Sequence, residues 1–290
     1  MSIENTHRPV RPFYWSVRRE LWEHHSLSLA PLIVAAVALI GMLISVVMSL
    51  AKSLAKVATM EPVEQTSLLS APYSAVALLV MITSVIVGCF YCLDALHGER
   101  RDRSILFWKS LPVSDATTVL AKASIPMLVL PLIAFMIITV VQLITVFVST
   151  VVVLAHGISV ATLWSKLPFM QMPIGVFYFL VATALWYAPV YAWLLFISAW
   201  AKRGTFIWAV VPPMALIAFV QLVGIAPNVG KNIRSQLIGS AELGFSVTAN
   251  GEMIPDPMKF LSSPEVWIGL LIAAGLLLAT VRLRRRREPF

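Results

Sequence analysis

The sequence predicts an all-α polytopic membrane protein with six transmembrane helices and both termini in the cytoplasm. Three observations carry that prediction. Of 290 residues, 59% are hydrophobic and 12% charged, and the mean hydropathy is +0.86; soluble domains run at roughly 45–50% apolar and about 25% charged. Six stretches lacking any Asp, Glu, Lys or Arg reach or approach the length of about 20 apolar residues needed to cross a bilayer. Lysine and arginine gather on alternate connections. This composition excludes a soluble enzyme, a disordered chain and a collagen-like fibre, and two cysteines exclude a disulfide scaffold or a cysteine-rich zinc module.

The first 29 residues contain no apolar run of the kind that makes a cleavable signal, so the first span is expected to direct insertion. Between Phe13 and Trp22, at 100° per residue, Phe13, Tyr14, Val17 and Leu21 share one arc, and Arg19, Glu20 and Glu23 another, with Trp15 and Trp22 on a flank. The pattern fits a helix lying in the headgroup layer, or a plain basic anchor with interface aromatics.

The spans are 30–50, 71–93, 125–155, 173–200, 206–225 and 266–281. The third, at 31 residues, is too long for one straight crossing and must tilt or project beyond the bilayer. Pro189 marks a kink in the fourth. The sixth has only 16 residues, but Ser262, Ser263 and Pro264 offer a helix start, and Arg282 and Arg284 can snorkel at its end. The connections on the N-terminal side hold 16 Lys and Arg against 6 on the other side, with 8 and 6 acids respectively. Excess Lys and Arg stay in the cytoplasm, which sets the orientation. The pI near 9.8 then reflects topology, and nucleic acid is not an expected partner.

Familiar chemistry is missing. Gly224 to Gly230-Lys231 is a failed phosphate loop: five residues separate the glycines, and Asn232 replaces the magnesium-binding Ser or Thr. No Glu completes a zinc helix at His24 and His25. Spans without carboxylates exclude an intramembrane aspartyl protease and argue against an ion-coupled transporter. His156, Gly157 and Ser159 echo a serine hydrolase only faintly and read as loop residues. Cys89 and Cys92 read as small packing residues, not as a redox or metal pair. Ser84, Gly88 and Cys92 form a small-residue face on the second span, as do Gly41, Ser45 and Ser49 on the first, suited to internal packing or to a dimer seam.

The connection between the second and third spans stands out. A charge cluster from Glu99 to Arg103 runs directly into Ile105, Leu106, Phe107, Trp108 and Leu111; Pro112 stops any helix and Ser114 caps the next. Such a segment suits a protein socket or burial in one leaflet. The run Glu99-Arg-Arg-Asp-Arg-Ser-Ile-Leu-Phe-Trp-Lys-Ser-Leu-Pro-Val-Ser114 resembles the membrane subunits of type-2 ATP-binding-cassette (ABC) exporters. Their segment often reads E-R-x-x-G-T, then apolar residues, then L-P-V-S. Glu99 and Leu111 to Ser114 match; Arg103-Ser104 stand in place of Gly-Thr.

The resemblance implies an interfacial elbow helix at the N-terminus and a cytoplasmic coupling helix within 94–124. It further implies two cytoplasmic ATPase subunits that hold the ATP and magnesium, a second copy of the chain, and residence among lipids of a bacterial inner membrane. No cofactor is expected in this chain and no catalysis by it. Ile105, Phe107, Trp108 and Leu111 would fill a groove in the ATPase, while Glu99, Arg100, Arg101 and Arg103 would set register and steer docking. The outer connection 226–265 would carry short re-entrant helices. Trp186, Trp193 and Trp200, seven residues apart, with Tyr187 and Tyr191, either line a route for a lipid, drug or peptide or simply pack. Gln142 and Gln221 are the strongest hydrogen-bonding side chains in the spans and join that candidate path. The competing reading is a membrane scaffold or assembly factor that moves no solute.

Overall fold

Within hydrocarbon every backbone N–H and C=O must find a partner inside the protein, so uncharged apolar runs fold as helices. The computed structural model describes residues 12–57, 62–102, 113–157, 160–164, 171–223, 245–247 and 253–286. In chain order the helices are α1 (Pro12–Glu23), α2 (Ser26–Val57), α3 (Pro62–Ala95), α4 (His97–Arg101), α5 (Asp115–Ser124), α6 (Leu130–Ala155), α7 (Val160–Trp164), α8 (Gln171–Trp186), α9 (Ala188–Trp200), α10 (Thr205–Val223), α11 (Pro257–Ser262) and α12 (Pro264–Arg286).

Among the described residues, four segments are long and apolar enough to cross a membrane: Ser26–Met48, Tyr73–Arg101, Asp115–Ala155 and Pro264–Arg286. Helices α8 and α9, bent by 46° at their junction, make a fifth if they form one span. The bend falls at Tyr187, where Pro189 supplies no N–H to the carbonyl of Leu185. The short sixth span is a 23-residue helix, begun at Pro264 as its sequence suggests. The fifth, expected over 206–225, coincides with the 19-residue helix Thr205–Val223 as far as the described residues reach.

Residues 115–155 form one long rod with a wide turn at Ile125–Val129. Pro126 cannot donate to the Lys122 carbonyl, which instead accepts from the N–H of Ile125. Leu130 N–H then reaches five residues back to the carbonyl of Ile125, which is a π-turn. Ser114 begins the rod, its Oγ accepting from Thr117 N–H at 3.1 Å.

Two buried clusters hold the helices together. One joins α2, α3, α6 and α8 through Met42, Val80, Ala134, Ile138 and Leu180; the other joins α3, α6 and α9 through Cys92, Leu130, Tyr191 and Leu195. The two small-residue faces separate in role. Ser84 and Cys92 are buried, and a Cβ added at Gly88 would lie 3.3 Å from both Pro126 Cβ and the Tyr191 ring. Gly41 has nothing within 4 Å of its Cβ position and faces outward with Ser45.

Among the described residues the chain is all-helical as expected, apart from a small antiparallel hairpin in which Phe245–Val247 pairs with Met253–Pro255. It leads to α11, capped by Asp256, whose carboxylate accepts from Lys259 N–H at 3.0 Å. Phe260 anchors that helix against Ala182, Trp186 and Val266. The expected re-entrant helices of 226–265 otherwise lie outside the described residues.

Candidate functional site

Helix α1 turns Glu20 and, in part, Arg19 inward and its rings outward, while Glu23 stays exposed. Glu20 is 1% exposed, whereas Phe13, Tyr14, Trp15 and Trp22 are all exposed. The Arg18 guanidinium lies 5.3 Å from the centre of the Trp15 ring and 4.6 Å from that of Trp22, a cation–π arrangement. Val17 and Leu21 pack on the bundle.

Beneath α1 lies a cluster of three carboxylates and three cations drawn from four helices. Lys122 on α5, 1% exposed, donates to Glu20 Oε1 at 2.8 Å and pairs with Glu99 Oε1 at 3.1 Å. Arg19 Nη2 bridges the same two acids at 2.7 and 3.1 Å. Arg284 on α12 donates from Nη1 to Glu99 Oε2 at 2.9 Å and from Nε to Asp115 Oδ1 at 3.0 Å. Tyr91 donates its hydroxyl to Glu20 Oε2 at 2.8 Å. Burial by itself would raise the Glu20 carboxyl, but Lys122 first, then Arg19 and the Tyr91 hydroxyl, hold it below its ordinary value.

The short helix α4 is fastened from α9. Ser198 Oγ accepts from the N–H groups of Leu96 and His97 at 3.0 and 2.9 Å, acting as an N-cap supplied from a hundred positions away. The Arg100 guanidinium donates to the carbonyls of Ser198 and Ala201.

Glu99 and Arg100, expected to set register and steer docking, are turned into the chain. Both are buried in this chain, because their charges are satisfied by α1, α5, α9 and α12. Arg284, expected to snorkel, is also turned inward at 6% exposure, while Arg282, on another face of the helix, is exposed. Arg101 is exposed and paired with Asp102 at 3.1 Å. Arg103, Ile105, Phe107, Trp108 and Leu111 lie outside the described residues.

Two of the candidate path's aromatic residues, Trp186 and Tyr191, are buried within the chain, and Tyr187 and Trp193 are half-buried. The Tyr187 and Tyr191 rings stand 6.3 Å apart. Trp193 donates its indole N–H to the Ala209 carbonyl at 3.0 Å. That carbonyl faces Pro213 four residues on, which has no N–H to give, so the indole replaces the missing donor. Gln142 is half-buried beside a crevice lined by Met42, Tyr73, Val76, Ala77, Ile138 and Val141. The side chain of Gln221 lies outside the described residues.

Among the described residues, Glu20, Glu23 and His24 place potential metal-ligand atoms within 4.8 Å of one another. The Lys122 ammonium and the Arg19 guanidinium already occupy Glu20 Oε1 at 2.8 and 2.7 Å, so two cations stand where an ion would gain its attraction. The cluster can bind helix ends together and pass displacement among them. Sequence reasoning missed Lys122, Asp115 and Tyr91 as its members, and Ser198 as the cap of α4. The available signal was Lys122 between Ala121 and Ala123 at the mouth of an apolar span, an unfavourable place for a lysine without a partner. No family model, curated protein or solved structure matches the chain.

Proposed function

We propose that this chain is the membrane-spanning subunit of an ATP-driven exporter of the type-2 ABC kind. In this reading it works as a homodimer in a bacterial inner membrane and passes an amphipathic or hydrophobic substrate. Force enters from separate ATPase subunits through the connection 103–112. The observation that supports it most is the ion cluster. The residues flanking that connection are held by ion pairs: Glu99, itself buried, by Arg19 of α1 and Arg284 of α12, and the half-buried Asp115 by Arg284. A segment meant only to hang in water needs no such anchoring, and burying several ions costs several kcal/mol apiece unless each is paired. The outward rings of α1 suit the headgroup layer, as an elbow helix requires.

The test is co-expression of the chain with a candidate cytoplasmic ABC ATPase from the same genome, followed by pull-down and ATP hydrolysis in nanodiscs. Association that falls at least tenfold in Trp108→Ala, with loss of stimulated hydrolysis, is the expected result. Equal association of the two chains overturns the coupling role.

One observation favours a second reading, a scaffold that moves no solute. Trp186 and Tyr191, the aromatic residues expected along a substrate path, are consumed by internal packing. Vesicles in which the complex hydrolyses ATP but accumulates no member of a panel of amphiphiles would establish it.

A further inference from the structure

Arg284 connects three parts of the chain that sequence keeps far apart. Glu99 and Asp115 stand on either side of the connection after the second span, sixteen positions apart. Lys122, on the Asp115 side, already ties the two sides together through its pair with Glu99. Arg284 adds the last helix to this pair, holding Glu99 with Nη1 at 2.9 Å and Asp115 with Nε at 3.0 Å. Its side chain is 4% exposed, Glu99's 8% and Asp115's 24%. Two different nitrogens of one planar fork, Nη1 and Nε, each take a carboxylate of their own, whereas an ammonium serves two acids only where both converge on its single atom, as Glu20 and Glu99 do at Lys122.

Helix α12 is in turn seated on α9 through Ala188, Ala192 and Ala273. Side chains that small bring two helices close and leave little slack between them. Helix α9 carries Ser198, which holds the start of α4. The contacts close a ring, from α4 to α12 to α9 and back to α4, with α5 attached at Arg284. Displacement of either side of the connection pulls on one guanidinium.

We propose that Arg284 is the positioning residue through which movement of the 99–115 connection reaches the C-terminal helix, making α12 the element that reads the state of that connection. The inference rests on the coupling reading for what moves the connection, but not for the link itself.

Hydrogen–deuterium exchange on the full chain in nanodiscs tests the link without any partner. Asp115→Asn, distant in sequence from α12, is expected to raise amide exchange over 278–286 several-fold. Arg284→Gln is expected to do the same, and the double variant to exchange no faster than either single one. Arg284→Lys, which keeps the charge and loses the fork, is expected to resemble Arg284→Gln, and Asp115→Glu to resemble the parent chain. Additive effects of Asp115→Asn and Arg284→Gln, or an Arg284→Lys chain indistinguishable from the parent, overturn the proposal. If Arg284→Gln does not fold, comparison of Asp115→Asn and Asp115→Glu with Arg284→Lys decides it. With an ATPase bound, Arg284→Lys is expected to leave association intact and lower stimulated hydrolysis several-fold. An absence of any ATPase partner would sink the coupling reading while leaving the exchange result to judge the link.

Discussion

The end of the molecule where α1, α4, α5 and α12 meet and the middle of α2, α3 and α6 are assembled on opposite principles. At the end, Glu20, Glu99 and Asp115 are matched by Arg19, Lys122 and Arg284. In the middle, Met42, Val80, Ala134 and Ile138 touch without a charge among them. Lipid tails are as apolar as leucine, so apolar helix faces gain little from leaving lipid and recognise one another by shape. Buried charges discriminate differently: every wrong pairing leaves an ion unmatched. The comparison teaches that the middle sets how closely helices approach, and the charged end sets which helix ends meet.

The sharpest way to break this contrast is Lys122→Met. It leaves Glu20 and Glu99 short of a buried partner and is expected to cost about 3–5 kcal/mol, read as thermal unfolding in detergent. Adding Glu20→Gln should restore part of the loss, because the charges then leave together. An unchanged midpoint in Lys122→Met would mean the cluster is decorative.

Shape recognition is tested next by Gly88→Leu, whose side chain has no room beside Pro126 and Tyr191 and is expected to cost about 1–3 kcal/mol. Gly41→Ala is the control. Its site is open, and a gain of up to about 1 kcal/mol is expected from helix propensity. Similar losses at both glycines would erase the distinction between the two small-residue faces.

A smaller effect is expected from Ser198→Ala, which removes the acceptor for Leu96 and His97 N–H at about 1–2 kcal/mol. Faster amide exchange at those two residues, with α9 otherwise unaffected, is the corresponding measurement.

The mildest probe is pH. Glu20 has its folded pKa lowered from 4.5, so its contribution to stability is complete above that value and is lost as pH falls through the lowered one. The unfolding midpoint should not change on account of Glu20 between about pH 7 and 5 and should drop below about 4.5. Glu20→Gln should remove part of that drop. A Glu20-dependent change near neutrality would contradict the pairing with Lys122.

Much of the fold is legible in the residues. Absence of charge locates the apolar middles of the long helices, Pro189 locates the bend, Ser114 starts the long rod and Pro264 starts the last helix. The π-turn is not legible, because Pro126 alone does not say whether a helix kinks, stops or widens. The hairpin at 245–255 is too short to leave a period. The candidate site was visible only as its flank: the charges from Glu99 to Arg103 signal importance, but not that Glu99 and Arg100 turn inward while Arg101 turns out.

What the sequence by itself determined is where the chain can be uncharged and helical, since composition and the cost of unpaired backbone groups in lipid act residue by residue. Which cation meets which carboxylate only the tertiary structure decided. Arg19, Lys122 and Arg284 come from the two ends and the centre of the chain, and no local rule distinguishes Arg19 and Arg284 from Arg282 or Arg101. A buried ion is tolerated only where partners from distant helices converge on it, and that convergence is a property of the packed bundle, not of any segment within it.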